Sequence, residues 1–245
     1  MLEKLYKKSE VWFAVIFIVA YVVGDSFLIQ ASENAGWEML YTIPYNLVLL
    51  CIMFTFIGKN HLLGYYGINR VKCRAGKLLY YVPLVIIATV NIWFGACLKM
   101  SILTTVIYFT AMVITGIVEE MLFRGLLFKA MSKTNIKSAI IVTSITFGIG
   151  HIVNLVNGNS TDYVETICQI FYAVAGGFLL AAVLYVGESL IPCIITHSML
   201  NALSSFSNEA VIDAVQIPVS VVLCVVSAVS AVLIFKNVNR KNRGE

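Results

Sequence analysis

Eight apolar runs, each about as long as the core of a lipid bilayer is thick, fill most of this chain. They fall at about 11–30, 40–57, 78–98, 102–131, 137–156, 165–187, 189–206 and 211–235, separated by short polar clusters. A helix needs roughly 20 apolar residues to cross a membrane, so 245 residues leave no room for a separate soluble domain. With 60% hydrophobic and 12% charged residues, the composition also lies outside the soluble globular range. The expected fold is therefore all-α: a polytopic membrane helix bundle of about eight transmembrane helices. The first run follows a group of lysines, as in a signal peptide, but continues without a small-residue cleavage site and is read as the first span.

The basic residues alternate between the connecting segments. Lys4, Lys7 and Lys8 precede the first run, Lys59, Arg70, Lys72, Arg74 and Lys77 follow the second, Lys129, Lys133 and Lys137 flank the turn after the fourth, and Lys236, Arg240, Lys241 and Arg243 form the tail. Asp25, Glu33, Glu38, Asp162, Glu165, Glu209 and Asp213 are assigned to the opposite loops, with Lys99 as their base. Fifteen of the seventeen basic residues thus share one side, which the positive-inside rule makes cytoplasmic. Both termini are expected inside a cell membrane, read as a bacterial plasma membrane. The segment from Lys59 to Lys77 mixes Leu62, Leu63, Tyr65, Tyr66 and Ile68 with bases, giving either an interfacial helix on the lipid headgroups or an ordinary basic loop.

Within the fourth run, Gly116 to Phe128 reads Gly-Ile-Val-Glu-Glu-Met-Leu-Phe-Arg-Gly-Leu-Leu-Phe. An ionised side chain near the bilayer centre costs at least ~2.5–3.5 kcal/mol, so Glu119, Glu120 and Arg124 need partners and mark a functional site. Glu120 and Arg124 are four apart with the acid first, the favourable order for an intrahelical ion pair. Glu119 is left over. Successive helix positions differ by about 100°, so the two glutamates are expected to point to different places and do different jobs. A carboxylate in a poorly hydrated site suits general acid or base work.

Two of the three histidines lie inside predicted spans. His151 ends the stretch Phe147-Gly-Ile-Gly-His151, and His197 opens His197-Ser-Met-Leu-Asn201, which aligns an imidazole and a carboxamide on one helix face. Together, Glu119 helped by His151 would activate water, while His197 and Asn201 would stabilise a tetrahedral oxyanion. This is the equipment of amide hydrolysis. Glu119, His151 and His197 would alternatively bind zinc, whose catalytic sites take three N/O ligands and keep one position open. No HExxH is present, which places metal-free general-base catalysis ahead, with no cofactor required. Serine and cysteine nucleophiles are set aside: there is no GxSxG, and Cys51, Cys73, Cys97, Cys168, Cys193 and Cys224 contain no CxxC pair and are read as small buried hydrophobes.

These residues resemble the CAAX prenyl protease and bacteriocin-self-immunity (CPBP, or Abi) intramembrane endopeptidases, a family recognised by EExxxR, FxxxH and HxxxN on three membrane helices. The matches are Glu119-Glu120-xxx-Arg124, Phe147-xxx-His151 and His197-xxx-Asn201, in that order. Gly176-Gly177-Phe178 and Gly187-Glu188-Ser189-Leu190-Ile191-Pro192 are similar to the family as well. The resemblance implies that Glu119 is the base, that Glu120, Arg124 and Phe147 support it, that His151 assists water activation, and that His197 and Asn201 form the oxyanion hole. It divides the chain into helices one to three (1–101), a catalytic core (102–206), and a last helix with a basic tail (207–245). The partners expected are a peptide or protein substrate, small, lipid-associated or prenylated, and membrane lipid, with no nucleic acid. Two other classes stay open: a non-proteolytic immunity or scaffolding protein, and a proton-coupled transporter, against which stands the absence of inverted repeats.

Overall fold

The computed structural model describes residues 2–68, 81–156 and 163–242. Ser9, Ser101 and Asn135 open three helices by the same device. Each side-chain oxygen accepts a backbone N–H three residues on, from Trp12 at 3.2 Å, Thr104 at 3.2 Å and Ser138 at 3.0 Å. Pro83 and Pro192 sit in the first turns of two more, where a missing N–H costs nothing.

The helices are α1 (Leu2–Lys8), α2 (Glu10–Asn34), α3 (Thr42–Lys59), α4 (Val82–Thr89), α5 (Ile102–Ser132), α6 (Ile136–Gly150), α7 (Tyr163–Gly187), α8 (Ile191–Leu203) and α9 (Glu209–Asn242). No strand occurs among the described residues; a single antiparallel bridge joins Ala96 to Ser207. An all-helical membrane bundle is what the apolar runs imply, and α2, α3, α5, α7, α9 and the stretch Ile136–Leu155, which is α6 with the turn after it, are long and apolar enough to cross a bilayer.

Two of the eight runs fall short of a full span. The third, expected over 78–98, is helical over Val82–Thr89 and tightens to a 3-10 turn at Val90–Ile92. Gly95, at φ +95°, then diverts the chain, and Cys97 N–H donates to Phe206 O at 2.9 Å. The seventh, expected over 189–206, is helical over Ile191–Leu203 and also ends in a 3-10 turn, Ser204–Phe206. Its 13 helical residues extend about 20 Å, short of a ~30 Å hydrocarbon core. The two short helices lie against each other, and each also meets a long one, α8 on α5 and α4 on α9.

Further corrections concern the connections. The segment after α3 is not an interfacial helix over 61–68: left-handed backbone at His61 and Gly67 folds it back on the bundle, where Tyr66 is fully buried and Gly67 O accepts Leu190 N–H at 3.0 Å. The rest of that expectation, from position 69 to Lys77, falls outside the described residues, as do Cys73, Asp162 and Arg243. Asp25 belongs to no loop; it is buried within α2 and accepts Asn46 Nδ2–H at 2.9 Å from α3. Cys193 is buried, but Cys51 and Cys97 face outward, because an apolar thiol is as compatible with lipid as with a protein interior.

The centre of the bundle is the second half of α5. Over Met121–Phe128 the helix widens from α to π geometry, and all eight residues there are buried. Helix α2 packs along this segment, α6 lies beside it, and α7 sits between α6 and α9. A π segment is uncommon and is found frequently at functional sites. Here it begins at the residue after Glu120 and contains Arg124.

Candidate active site

Gly116 lets α5 and α8 meet almost backbone to backbone. A Cβ added there would stand 2.6 Å from Ser198 Cα and 2.7 Å from Ser198 N, closer than real Cβ atoms come. One turn further along α5, this brings Glu119 and Glu120 beside His197. The two carboxylates, expected to point apart, touch the same imidazole from its two nitrogens. Glu120 Oε1 lies 2.9 Å from His197 Nδ1, and Glu119 Oε2 lies 3.3 Å from His197 Nε2. A 100° step around the helix still lets adjacent side chains converge when the group between them is a flat ring with a nitrogen on either edge.

Arg124 Nη1 donates to Glu120 Oε1 at 2.8 Å, the i, i+4 pair read from the spacing. The same oxygen therefore serves Arg124 and His197. Both side chains of the pair are 0% exposed, whereas Glu119 is 14% exposed and His197 7%. Of the three costly charges on α5, Glu119 alone is reachable. Arg124 Nε and Nη2 and Glu120 Oε2 are buried without a hydrogen-bond partner. The arginine face is instead covered by Phe147, whose ring centroid is 4.2 Å from the guanidinium carbon.

Phe147, on α6, ties the remaining groups together. Its ring meets Phe123 at 5.2 Å, His151 at 5.4 Å and His197 at 5.3 Å between centroids, each edge to face. His151 is half-buried and forms the C-terminal cap of α6, which ends at Gly150 instead of continuing to 156; one more turn follows at Val153–Val156. Asn201, one turn beyond His197 on α8, is half-buried, with its side chain in no hydrogen bond among the described residues.

Proton placement follows from these contacts. A carboxylate paired with Arg124 only accepts, so Nδ1 of His197 carries a proton toward Glu120. At Nε2, 3.3 Å from Glu119 Oε2, a proton on either partner would face the other, from the ring toward a carboxylate or from a carboxyl toward the ring. A proton passing from one to the other leaves the net charge of the pair unchanged.

Tyr21 completes the site and has no counterpart in the sequence reading. Its hydroxyl, on α2, donates to Glu119 Oε1 at 2.9 Å. The available signal was Asp25, an ionisable residue inside the first apolar run and one helical turn from Tyr21.

Zinc on Glu119, His151 and His197 was the alternative. No group of three or more His, Cys, Asp or Glu side chains among the described residues is arranged to hold a metal ion. His151, against the ring of Phe147, does not join Glu119 and His197 in such a group as the side chains stand.

Residues 101–203 match the family model described as Type II CAAX prenyl endopeptidase Rce1-like. No curated protein and no solved structure is matched by this chain. The matched stretch contains the α5 carboxylates, Phe147, both intramembrane histidines and Asn201, and it lies in an all-helical bundle with six potential membrane spans. Over residues 101–203 the chain is thus similar to the type II CAAX prenyl endopeptidases that this family model describes.

Proposed function

We propose that this protein hydrolyses a peptide bond within the membrane by water activated at Glu119, without a bound metal. The observation that carries the reading is the division of labour on α5: Glu120 is fully buried and committed to Arg124 and His197, while Glu119 is partly exposed and lies 3.3 Å from His197 Nε2. In this mechanism ionised Glu119 removes a proton from water as the oxygen bonds to the substrate carbonyl carbon. The carbonyl oxygen becomes an oxyanion as Glu119 takes up that proton, which frees the Nε2–H of His197 from its carboxylate to stabilise the oxyanion together with the Nδ2–H of Asn201. When the C–N bond breaks, Glu119 returns the proton to the leaving amine. Phe147 holds His151 and His197 against one ring, which supports a role for His151 in placing the water.

The substrate proposed is a small, lipid-associated or prenylated peptide. The distribution of basic residues supports both termini on the cytoplasmic side, with residues 102–206 as the part that supplies the reacting groups. The test is Glu119→Gln in purified full-length protein, assayed on two sets of internally quenched peptides, one farnesylated with a CAAX end and one unprenylated. Loss of cleavage of about 1,000-fold or more, with binding retained, is the expected result for removal of a general base and its electrostatic role. Cleavage at the wild-type rate would remove the assigned base.

A further inference from the structure

Tyr21 stands on α2, outside the segment that matches the family, yet its hydroxyl is hydrogen-bonded to the glutamate on which the proposed chemistry depends. We infer that Tyr21 is a positioning residue for the Glu119 carboxylate, so that the catalytic unit extends beyond residues 101–203 into the first long helix. This rests on reading Glu119 as the base.

The two oxygens of Glu119 have separate assignments. Oε1 accepts from Tyr21 at 2.9 Å, and Oε2 faces His197 Nε2 at 3.3 Å. A glutamate has three side-chain rotors, and a single contact at 3.3 Å would leave the carboxylate free to turn about its last bond. The tyrosine holds the oxygen that does not face the imidazole and thereby keeps the other one in place.

Helix α2 is itself held in rotation. Phe13, Phe17, Tyr21 and Asp25 recur every four residues, and all four are buried. Phe13 and Phe17 belong to the apolar core, Tyr21 reaches Glu119 on α5, and Asp25 reaches Asn46 on α3. Turning α2 would break two buried polar contacts at once, to two different helices. Packing alone calls for no hydroxyl on this face, since the two preceding aromatics are phenylalanines. The one phenol stands where the carboxylate is.

The experiment compares Tyr21→Phe with wild type and Glu119→Gln, each full-length in lipid nanodiscs. The phenyl ring is kept, so the packing volume is unchanged. Infrared difference spectra against Glu119→Gln identify the carboxyl band of Glu119 without any substrate. That band is expected to shift in Tyr21→Phe, because one of its hydrogen bonds is gone. On the quenched peptides, kcat is expected to fall about 10- to 100-fold with KM within about twofold of wild type, the pattern of a group that orients the reacting atoms and does not bind substrate. An unmoved band together with an unchanged kcat overturns the inference while leaving the assignment of Glu119 intact. Undiminished cleavage by Glu119→Gln, or a wild-type chain inert on both peptide sets, instead overturns the peptidase reading and this inference with it.

Discussion

Gly116 and Ser198 bring α5 and α8 so close that a methyl group on the glycine would sit 2.6 Å from the serine Cα. The obstacle is backbone, which cannot swing aside as a side-chain tip would. Gly116→Ala is therefore expected to push α8 away, lengthen the contacts of His197 with both glutamates, and destabilise the bundle by about 1–3 kcal/mol, the usual range for overpacking. Thermal unfolding in detergent and cleavage of the quenched peptides measure the two effects. An alanine variant as stable and active as wild type would mean that the close approach is unimportant.

Arg124 and Glu120 form a fully buried pair whose two members should not be replaced separately. Arg124→Met leaves the Glu120 carboxylate without its cation in a site closed to water, at a cost of about 3–5 kcal/mol. Glu120→Gln with Arg124→Met removes both charges and is expected to regain much of that stability. Activity is expected to stay low in the double variant, since His197 Nδ1 then lacks its carboxylate. A double variant less stable than Arg124→Met would show that the pair is not the relevant unit.

Phe147 is the shared surface for Phe123, Arg124, His151 and His197. Phe147→Ala is expected to cost about 3–5 kcal/mol in stability and to abolish cleavage. Phe147→Leu keeps most of the volume but loses the flat face under the guanidinium, so it should fold near normally and still lose rate. Equal rates for leucine and wild type would reduce Phe147 to a space-filler.

Chelation tests the metal-free mechanism directly. Protein incubated with EDTA and then freed of it is expected to cleave at the untreated rate, with zinc well below one equivalent by elemental analysis. Activity lost on chelation and restored by zinc would overturn it.

Much of this arrangement was legible in the chain. The spans follow from apolar run length, a local property, and the Glu120–Arg124 pair from a four-residue spacing within one helix. Asp25 was misplaced because a single acid near the end of an apolar run reads like the start of a loop; burial and its hydrogen bond to Asn46 on α3 keep it inside. The third and seventh runs read as full spans, because apolar length does not reveal where Gly95 or a 3-10 turn ends a helix.

By itself, then, the sequence determined the membrane class, the order of the helices, and which residues were too costly to bury without purpose. Only the tertiary structure decided that Glu119 and Glu120 meet on one imidazole, that α5 widens to π geometry between Glu120 and Lys129, and that Tyr21 holds the reachable carboxylate. The physical reason is rotation. A helix that is apolar nearly all round carries no stripe to say which side faces its neighbours, so its orientation is set by close contacts such as Gly116 with Ser198 and by a few buried hydrogen bonds. Those contacts join residues distant in sequence, and they exist only once the helices have packed.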